Sequence, residues 1–423
     1  MEGFHMAVKE QVIRTVSEAK KASRKMALID AGTKNRALKS MAGAIVDNLR
    51  EIKQANLKDL RAAEKAGLSA ALIDRLELTG KRLEAMAGGL REVAGLKDPV
   101  GEVIKEARLK NGLLLKKTRV PLGVIGIIYE SRPNVTAEAA GLCLKSGNAV
   151  VLRGGSEAIN SNRAIVSAIR KAAYRAGIPE GAIGFIGTMD RAAVSVMSKL
   201  DTLIDMLILR GGDRMISDIA AGATVPVMRH GKGVCHVFVD ESADMKMARS
   251  ICYNAKVSRP GVCNAMETLL VHKSAAGKFL PEMVEQFNKA GVEIRGDSSV
   301  KARFQGVKAA TQKDWSEEYL GLIISVRVVN GLEEAIEHIA RYGSGHSDAI
   351  VTGNRKNALE FMKRVDSAAV YWNASTRFTD GGEFGLGAEI GISTQKSHAR
   401  GPMGLEELTS IKYVVTGNGQ IRK

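Results

Sequence analysis

The chain has 423 residues, more than one ordinary domain needs, so two or three domains are expected. Hydrophobic residues make up 45% and charged residues 26%, an ordinary balance for a globular protein that excludes neither a large core nor a soluble surface. Its 62 Lys and Arg outnumber 46 Asp and Glu, and the formal charge of +16 favours anionic partners.

The basic residues are spread along the chain without a Lys/Arg block. Only 4% of residues are aromatic, so base stacking is poorly provided for. Phosphorylated metabolites and cofactors are therefore favoured over nucleic acid. No apolar run is long enough to cross a bilayer, and Met1 to Lys25 lacks the continuous apolar segment of a signal peptide. The four cysteines, Cys143, Cys235, Cys252 and Cys263, form no CxxC pair. They read as reduced thiols of a cytoplasmic protein, with no metal site.

Residues 7 to about 95 predict helices. Met41, Ala44, Ile45, Leu49 and Ile52 recur at three- and four-residue spacing, as do Leu72, Leu76 and Leu83. The pattern changes at Asp98-Pro99. From Gly101 to Pro121 it alternates around Lys110-Asn111-Gly112, which predicts a hairpin. That hairpin can reach a partner subunit or lie as a ribbon on its own.

Buried strands are then expected at Gly123 to Ile128 and Asn148 to Leu152, with helices at Val135 to Lys145 and Ser161 to Ala176. A short apolar run follows at Ile183 to Ile186. Strand alternating with helix predicts a Rossmann-like parallel sheet, although no GxGxxG follows the first strand. A second α/β series begins near His236. It includes strands at Val237 to Val239, Glu267 to Val271, Leu322 to Val329 and Ser347 to Val351. The intervening helices are expected at Ala243 to Ala255, Ala275 to Ala290 and Leu332 to Tyr342.

Three segments can carry chemistry. Ser258-Arg259-Pro260-Gly261-Val262-Cys263-Asn264 is a loop between a helix and a strand, where a thiolate could attack an acyl carbon. An inert buried thiol is the competing reading of Cys263, and Arg259 is a candidate to favour the thiolate. Arg153-Gly154-Gly155 ends a strand and opens a helix, a turn that lets backbone N–H groups approach a phosphate. Arg210-Gly211-Gly212 repeats that pattern. Asn373 to Gly387 is a polar, Gly-rich stretch long enough to read as a functional loop.

Longer stretches carry a family resemblance. They are Tyr129-Glu130-Ser131-Arg132-Pro133-Asn134-Val135-Thr136, Arg259-Pro260 with Cys263-Asn264, and Asn373 through Leu386. Gly385 to Glu389, Ser393 to Lys396 and His398 to Leu405 add to them. From about Ala7 to Ile421 the chain resembles the aldehyde dehydrogenase superfamily and, within it, the gamma-glutamyl phosphate reductase family.

The resemblance implies an aldehyde-dehydrogenase-like α/β fold. Residues 1–100 with 122–229 would bind the cofactor, 230–405 would form the catalytic domain, and 101–121 with 406–423 would form a small β oligomerisation element. It also implies a homo-oligomer, dimer or tetramer. The implied reaction is NADPH-dependent reduction of L-glutamyl 5-phosphate to glutamate 5-semialdehyde, in proline synthesis. Cys263 falls where the family has its nucleophile, and Arg132 and Asn134 are candidate oxyanion donors. Arg153, with Gly154 and Gly155, falls at the cofactor strand end. Glu318 falls where the wider family holds the nicotinamide ribose, and Glu130, Arg377 and Thr379 are candidates for substrate binding.

Two departures stand out. Oxidising relatives carry a glutamate that activates water, whereas Met228-Arg229-His230-Gly231-Lys232-Gly233 has no carboxylate. Gly261-Val262 stand where the closer family more usually has Ser-Thr. The rival readings are a coenzyme A-acylating aldehyde dehydrogenase and a basic nucleic-acid-binding protein.

Overall fold

A computed structural model describes the backbone of residues 2–229 and 231–422. The chain divides into two compact units. One contains residues 1–229, 386–391 and 403–423, and the other 230–385 and 392–402.

The first unit opens with helices at Glu2–Met26, Ala31–Asp47, Leu49–Lys65, Ala70–Leu76 and Gly80–Gly95. Their apolar stripes are buried, as at Leu38, Met41 and Ile45. Asp30 and Thr79 accept from the third backbone N–H beyond them and so fix two of the helix starts.

Five parallel strands follow, in the order Ile183–Phe185, Ala149–Gly154, Val124–Tyr129, Met206–Arg210 and Val227–Arg229. Val124–Tyr129 is the first in sequence but lies in the middle, because the chain adds strands to one side and then to the other. Such a switch point opens a crevice at the carboxyl ends of the strands. Glu130, Arg132 and Asn134 follow the first strand there, and Arg153 to Gly155 end the second.

The helix Ile159–Arg175 starts two residues earlier than its periodicity predicts. Buried Asp59, from another helix, accepts from the backbone N–H groups of Asn160 and Ser161 at 3.2 and 2.7 Å. A carboxylate on a helix N-terminus offsets its unpaired donors. The hairpin forms as expected, Val103–Arg108 against Leu114–Pro121. Thr409–Thr416 then pairs antiparallel with Leu114–Pro121 to make a three-stranded sheet.

The second unit is built on seven parallel strands. Their order is Lys308–Ala309, Glu293–Gly296, Ile323–Val329, Met266–His272, Cys235–Val239, Ser347–Val351 and Ala369–Trp372. Helices Met245–Val257 and Lys273–Lys289 pack apolar residues such as Cys252, Phe279 and Met283 into its main core. The first of these starts at Met245 rather than Ala243, because Asp244 accepts from Met247 N–H at 2.7 Å and caps it.

Candidate active site

The loop that carries Cys263 joins helix Met245–Val257 to strand Met266–His272 and lies at the amino edge of the seven-stranded sheet. Cys263 is half-buried, whereas Cys143, Cys235 and Cys252 are buried. Burial pushes all three of those thiols up, away from the reactive thiolate. Cys263 is the cysteine a dissolved substrate can meet.

Its backbone is held closely. A Cβ on Gly233 would fall 1.9 Å from the Cys263 carbonyl oxygen, so only glycine fits beside it. The Cys235 thiol donates to that same oxygen at 3.2 Å. The next residue, Asn264, ties the loop to the Gly-rich segment. Its Nδ2 donates to the carbonyls of Thr379 at 2.9 Å and Arg377 at 3.3 Å, and its own carbonyl accepts from Thr376 Oγ1 at 2.7 Å.

Arg377 spans the Cys263 loop. Its guanidinium donates to Asn264 Oδ1 and, through Nε, to Ser258 Oγ at 3.2 Å. Burial first, and then neighbouring Arg259, hold this guanidinium below the usual arginine range, while Asp380, Cys263 and Glu383 act the other way. Two guanidinium groups thus bear on the loop, a setting that favours a thiolate and recruits anions. Thr379 is fully buried, and its hydroxyl is shared with Ser347 Oγ and Tyr371 OH at 2.6 Å each. It braces the segment from inside.

Glu318 reaches the same place from another loop, where Oε1 accepts from Gly233 N–H at 2.8 Å. The second unit therefore brings Cys263, Arg377, Thr379 and Glu318 together. His230 lies outside the described residues.

The remaining candidates lie on the carboxyl edge of the first unit's sheet. Arg153 is 7% exposed, and its Nε has no hydrogen-bond partner, a polar atom that an anionic ligand group could satisfy. Burial lowers its pKa, and Glu157 and Glu130 raise it. Gly154 and Gly155 pack so tightly that a Cβ on either would fall 2.1 Å from a neighbour, Asn162 and Glu157 respectively. Glu130 accepts from Gly212 N–H at 3.2 Å and so bridges two strand ends. Asn134 Nδ2 donates to Glu138 at 2.9 Å, and Arg132 is exposed.

Several residues escape the sequence reading. Glu157 accepts from Ser131 N–H at 2.5 Å and faces the Gly155 turn. Lys256 and Glu267 form an ion pair of 2.5 Å with essentially no exposure. Burial pushes the Glu267 carboxyl up to about 7 against the pull of Lys256. One trace was available: Glu267 is a charged residue inside an apolar strand run. Among the described residues no cluster of His, Cys, Asp and Glu is placed to hold a metal, and no helix is long and apolar enough to cross a membrane.

The sequence model of the aldehyde dehydrogenase family matches residues 1–302 and 304–414. A gamma-glutamyl phosphate reductase of Thermoanaerobacter pseudethanolicus is 62% identical over 96% of this chain and 98% of its own length. One from Clostridium novyi is 55% identical over 99% of this chain and all of its own. The crystal structure of the gamma-glutamyl phosphate reductase of Thermotoga maritima superposes with a TM-score of 0.96, at 49% identity, over 98% of this chain and 100% of that one. An acetylating aldehyde dehydrogenase from Geobacillus thermoglucosidasius, 18% identical with a TM-score of 0.70 over 99% of both chains, shares the fold. The chain belongs to the aldehyde dehydrogenase family and, within it, to the gamma-glutamyl phosphate reductases.

Proposed function

We propose that this enzyme reduces L-glutamyl 5-phosphate to L-glutamate 5-semialdehyde, with NADPH as reductant and Cys263 as nucleophile, in proline synthesis. The observation that carries the reading is the Cys263 loop itself. It holds the one cysteine that is not buried, crossed by the Arg377 guanidinium.

The Cys263 thiolate attacks the acyl carbon, the carbon–oxygen bond to phosphate breaks, and inorganic phosphate leaves. Arg377 and Arg259 offset the negative charge of the phosphate as it departs. NADPH, when bound, supplies the hydride that reduces the thioester carbonyl. The resulting thiohemiacetal then loses its carbon–sulfur bond, releasing aldehyde and regenerating the thiolate. Arg153, with its unpartnered Nε, and the Gly154-Gly155 turn fit the phosphates of that cofactor, and the assignment of Glu318 to a ribose hydroxyl rests on the family resemblance.

The roles of Arg132 and Asn134 as oxyanion donors, and of Glu130 at the substrate ammonium, rest on the family resemblance. The same resemblance supports assigning 1–100 with 122–229 to cofactor binding and 230–405 to catalysis. The three-stranded sheet is assigned to self-association. Ile411, Tyr413, Val414 and Val415 expose apolar surface along its last strand.

The deciding experiment runs the reaction backwards on the purified chain. Glutamate semialdehyde, NADP and phosphate should give NADPH. A requirement for coenzyme A in place of phosphate would overturn the assignment in favour of an acylating aldehyde dehydrogenase.

A further inference from the structure

Lys256 is the last residue but one of a helix and Glu267 sits second in the following strand, so the pair closes the base of the loop that carries Cys263. Both side chains are buried, and Nζ lies 2.5 Å from Oε2. The other carboxylate oxygen of Glu267 accepts from Leu320 N–H at 3.2 Å. Leu320 is one of three non-glycine residues among those described with positive φ, at 52°, so its backbone is held where leucine rarely goes. Its carbonyl oxygen lies against Gly261, 3.7 Å from where a Cβ would stand.

Two residues earlier, Glu318 accepts from Gly233 N–H, and Gly233 abuts the Cys263 carbonyl. The contacts form a closed circuit: Cys263 loop, Glu267, Leu320, Glu318, Gly233 and back to Cys263. Between Leu320 and Glu318, Tyr319 is also fixed. Its hydroxyl bonds Asp314 and Ser325, and its ring lies 5.9 Å from Lys256 Nζ and 5.0 Å from the Arg295 guanidinium.

Stability alone does not explain the pair, because a buried ion pair is often no better for stability than apolar side chains of similar volume. We propose that Lys256 and Glu267 are positioning residues whose buried pair locks the Glu318 loop in register with the Cys263 loop, so that whatever Glu318 holds is presented to the nucleophile at a fixed place. This rests on Cys263 being the nucleophile. Both side chains are sealed from solvent.

The test uses the full-length chain as Glu267→Gln and as the double variant Lys256→Met/Glu267→Leu, which removes both charges and so guards against a fold lost to one unpaired charge. Amide hydrogen exchange without ligands is followed in peptides covering 231–235 and 317–322. Both variants should exchange there roughly tenfold faster or more, with protection of the sheet strands retained. Alkylation of Cys263 by iodoacetamide should stay within about twofold of wild type, because the thiol keeps its loop and Arg377. The first turnover of semialdehyde with NADP should slow by roughly tenfold or more.

Wild-type exchange in these peptides, or a wild-type first turnover, overturns the proposal. So does an equal loss of alkylation, first turnover and global protection, which would mark the pair as merely structural. Cys263→Ser separates the two readings. It should lose alkylation and turnover while residues 317–322 stay slow to exchange, and if that variant remains active it is the nucleophile assignment that fails.

Discussion

Cys143, Cys235 and Cys252 are sealed in interiors that raise their thiol pKa, and only Cys263 combines partial exposure with guanidinium neighbours. Cys263→Ser should therefore lower turnover by roughly 10³-fold or more with an unchanged circular dichroism spectrum, while Cys252→Ser stays active. Near-normal rates in the first variant would end the thioester mechanism. A second prediction concerns Glu157, whose carboxylate occupies the Gly155 turn beside Arg153. If that turn receives the extra phosphate of NADPH, Glu157→Gln should tighten NADPH binding by roughly fivefold, about 1 kcal/mol, and Arg153→Ala should weaken it. Titration of cofactor fluorescence with both nucleotides checks this, and equal effects on NADH would show that the turn does not read the phosphate. Arg153 carries a local mark, the Gly-Gly that follows it, whereas the loop of Cys263 reads as readily as the site of an inert thiol, and it is the family resemblance that singles this cysteine out. Glu157 was not legible, since a glutamate in the turn just before a helix looks solvated, and only the fold returns Ser131 to it. Glu318 is singled out by the family resemblance alone, and nothing in its own neighbourhood announces the bond to Gly233.

Elements with a long hydrophobic period, or with an Asn-Gly turn, are legible in the sequence. The helices expected over residues 7 to about 95, both parallel series and the 101–121 hairpin are of this kind. Glu293–Gly296, Ala369–Trp372 and helix Arg355–Arg364 were missed, because four residues give almost no period and the helix buries little beyond Ala358 and Phe361. Helix starts shifted where capping depends on side chains, as at Asp244, or on a distant element, as at Asp59. Among the described residues no strand pairs with the outer edge of Thr409–Thr416, which exposes Ile411, Tyr413, Val414 and Val415. If subunits meet there, Tyr413→Asp with Val415→Asp should lower the mass seen by light scattering to that of a smaller assembly, and an unchanged mass would exclude this edge. The Lys256–Glu267 pair gives a further prediction for stability. Glu267 is raised in the fold from its ordinary 4.5 to about 7. Its contribution to stability is then full below about 4.5 and is lost as pH rises through about 7. Replacing both residues, as Lys256→Met/Glu267→Leu, removes this slope. The double variant should gain on wild type as pH rises across that window, by about 1–4 kcal/mol at the upper end. Denaturant melts at several pH values measure it, and a gap that does not change with pH would show that the pair is not strained by burial.

The whole molecule carries +16, and the proposed reaction involves anions at every stage: an acyl phosphate, a phosphorylated nucleotide and inorganic phosphate. Glutamate semialdehyde differs from these, being a zwitterion with no net charge near neutral pH. A positive field draws anions in by long-range attraction, and salt screens it over a Debye length of about 10 Å at 0.1 M. A neutral zwitterion gains little from the same field. Phosphate and semialdehyde, two of the three substrates of the reverse reaction, therefore report on the charge separately, with one enzyme and one readout. From about 0.02 M to about 0.3 M ionic strength, kcat/KM for phosphate should fall by roughly tenfold, while kcat/KM for semialdehyde should change by less than about twofold. Chloride and a bulkier monovalent anion should give the same curve, since screening depends on ionic strength and not on which ion fills a pocket. Different curves for the two salts would point to anion competition at a single site such as Arg377. Parallel falls for both substrates would show that salt acts on the protein's structure, and that the excess charge serves something other than the capture of phosphate.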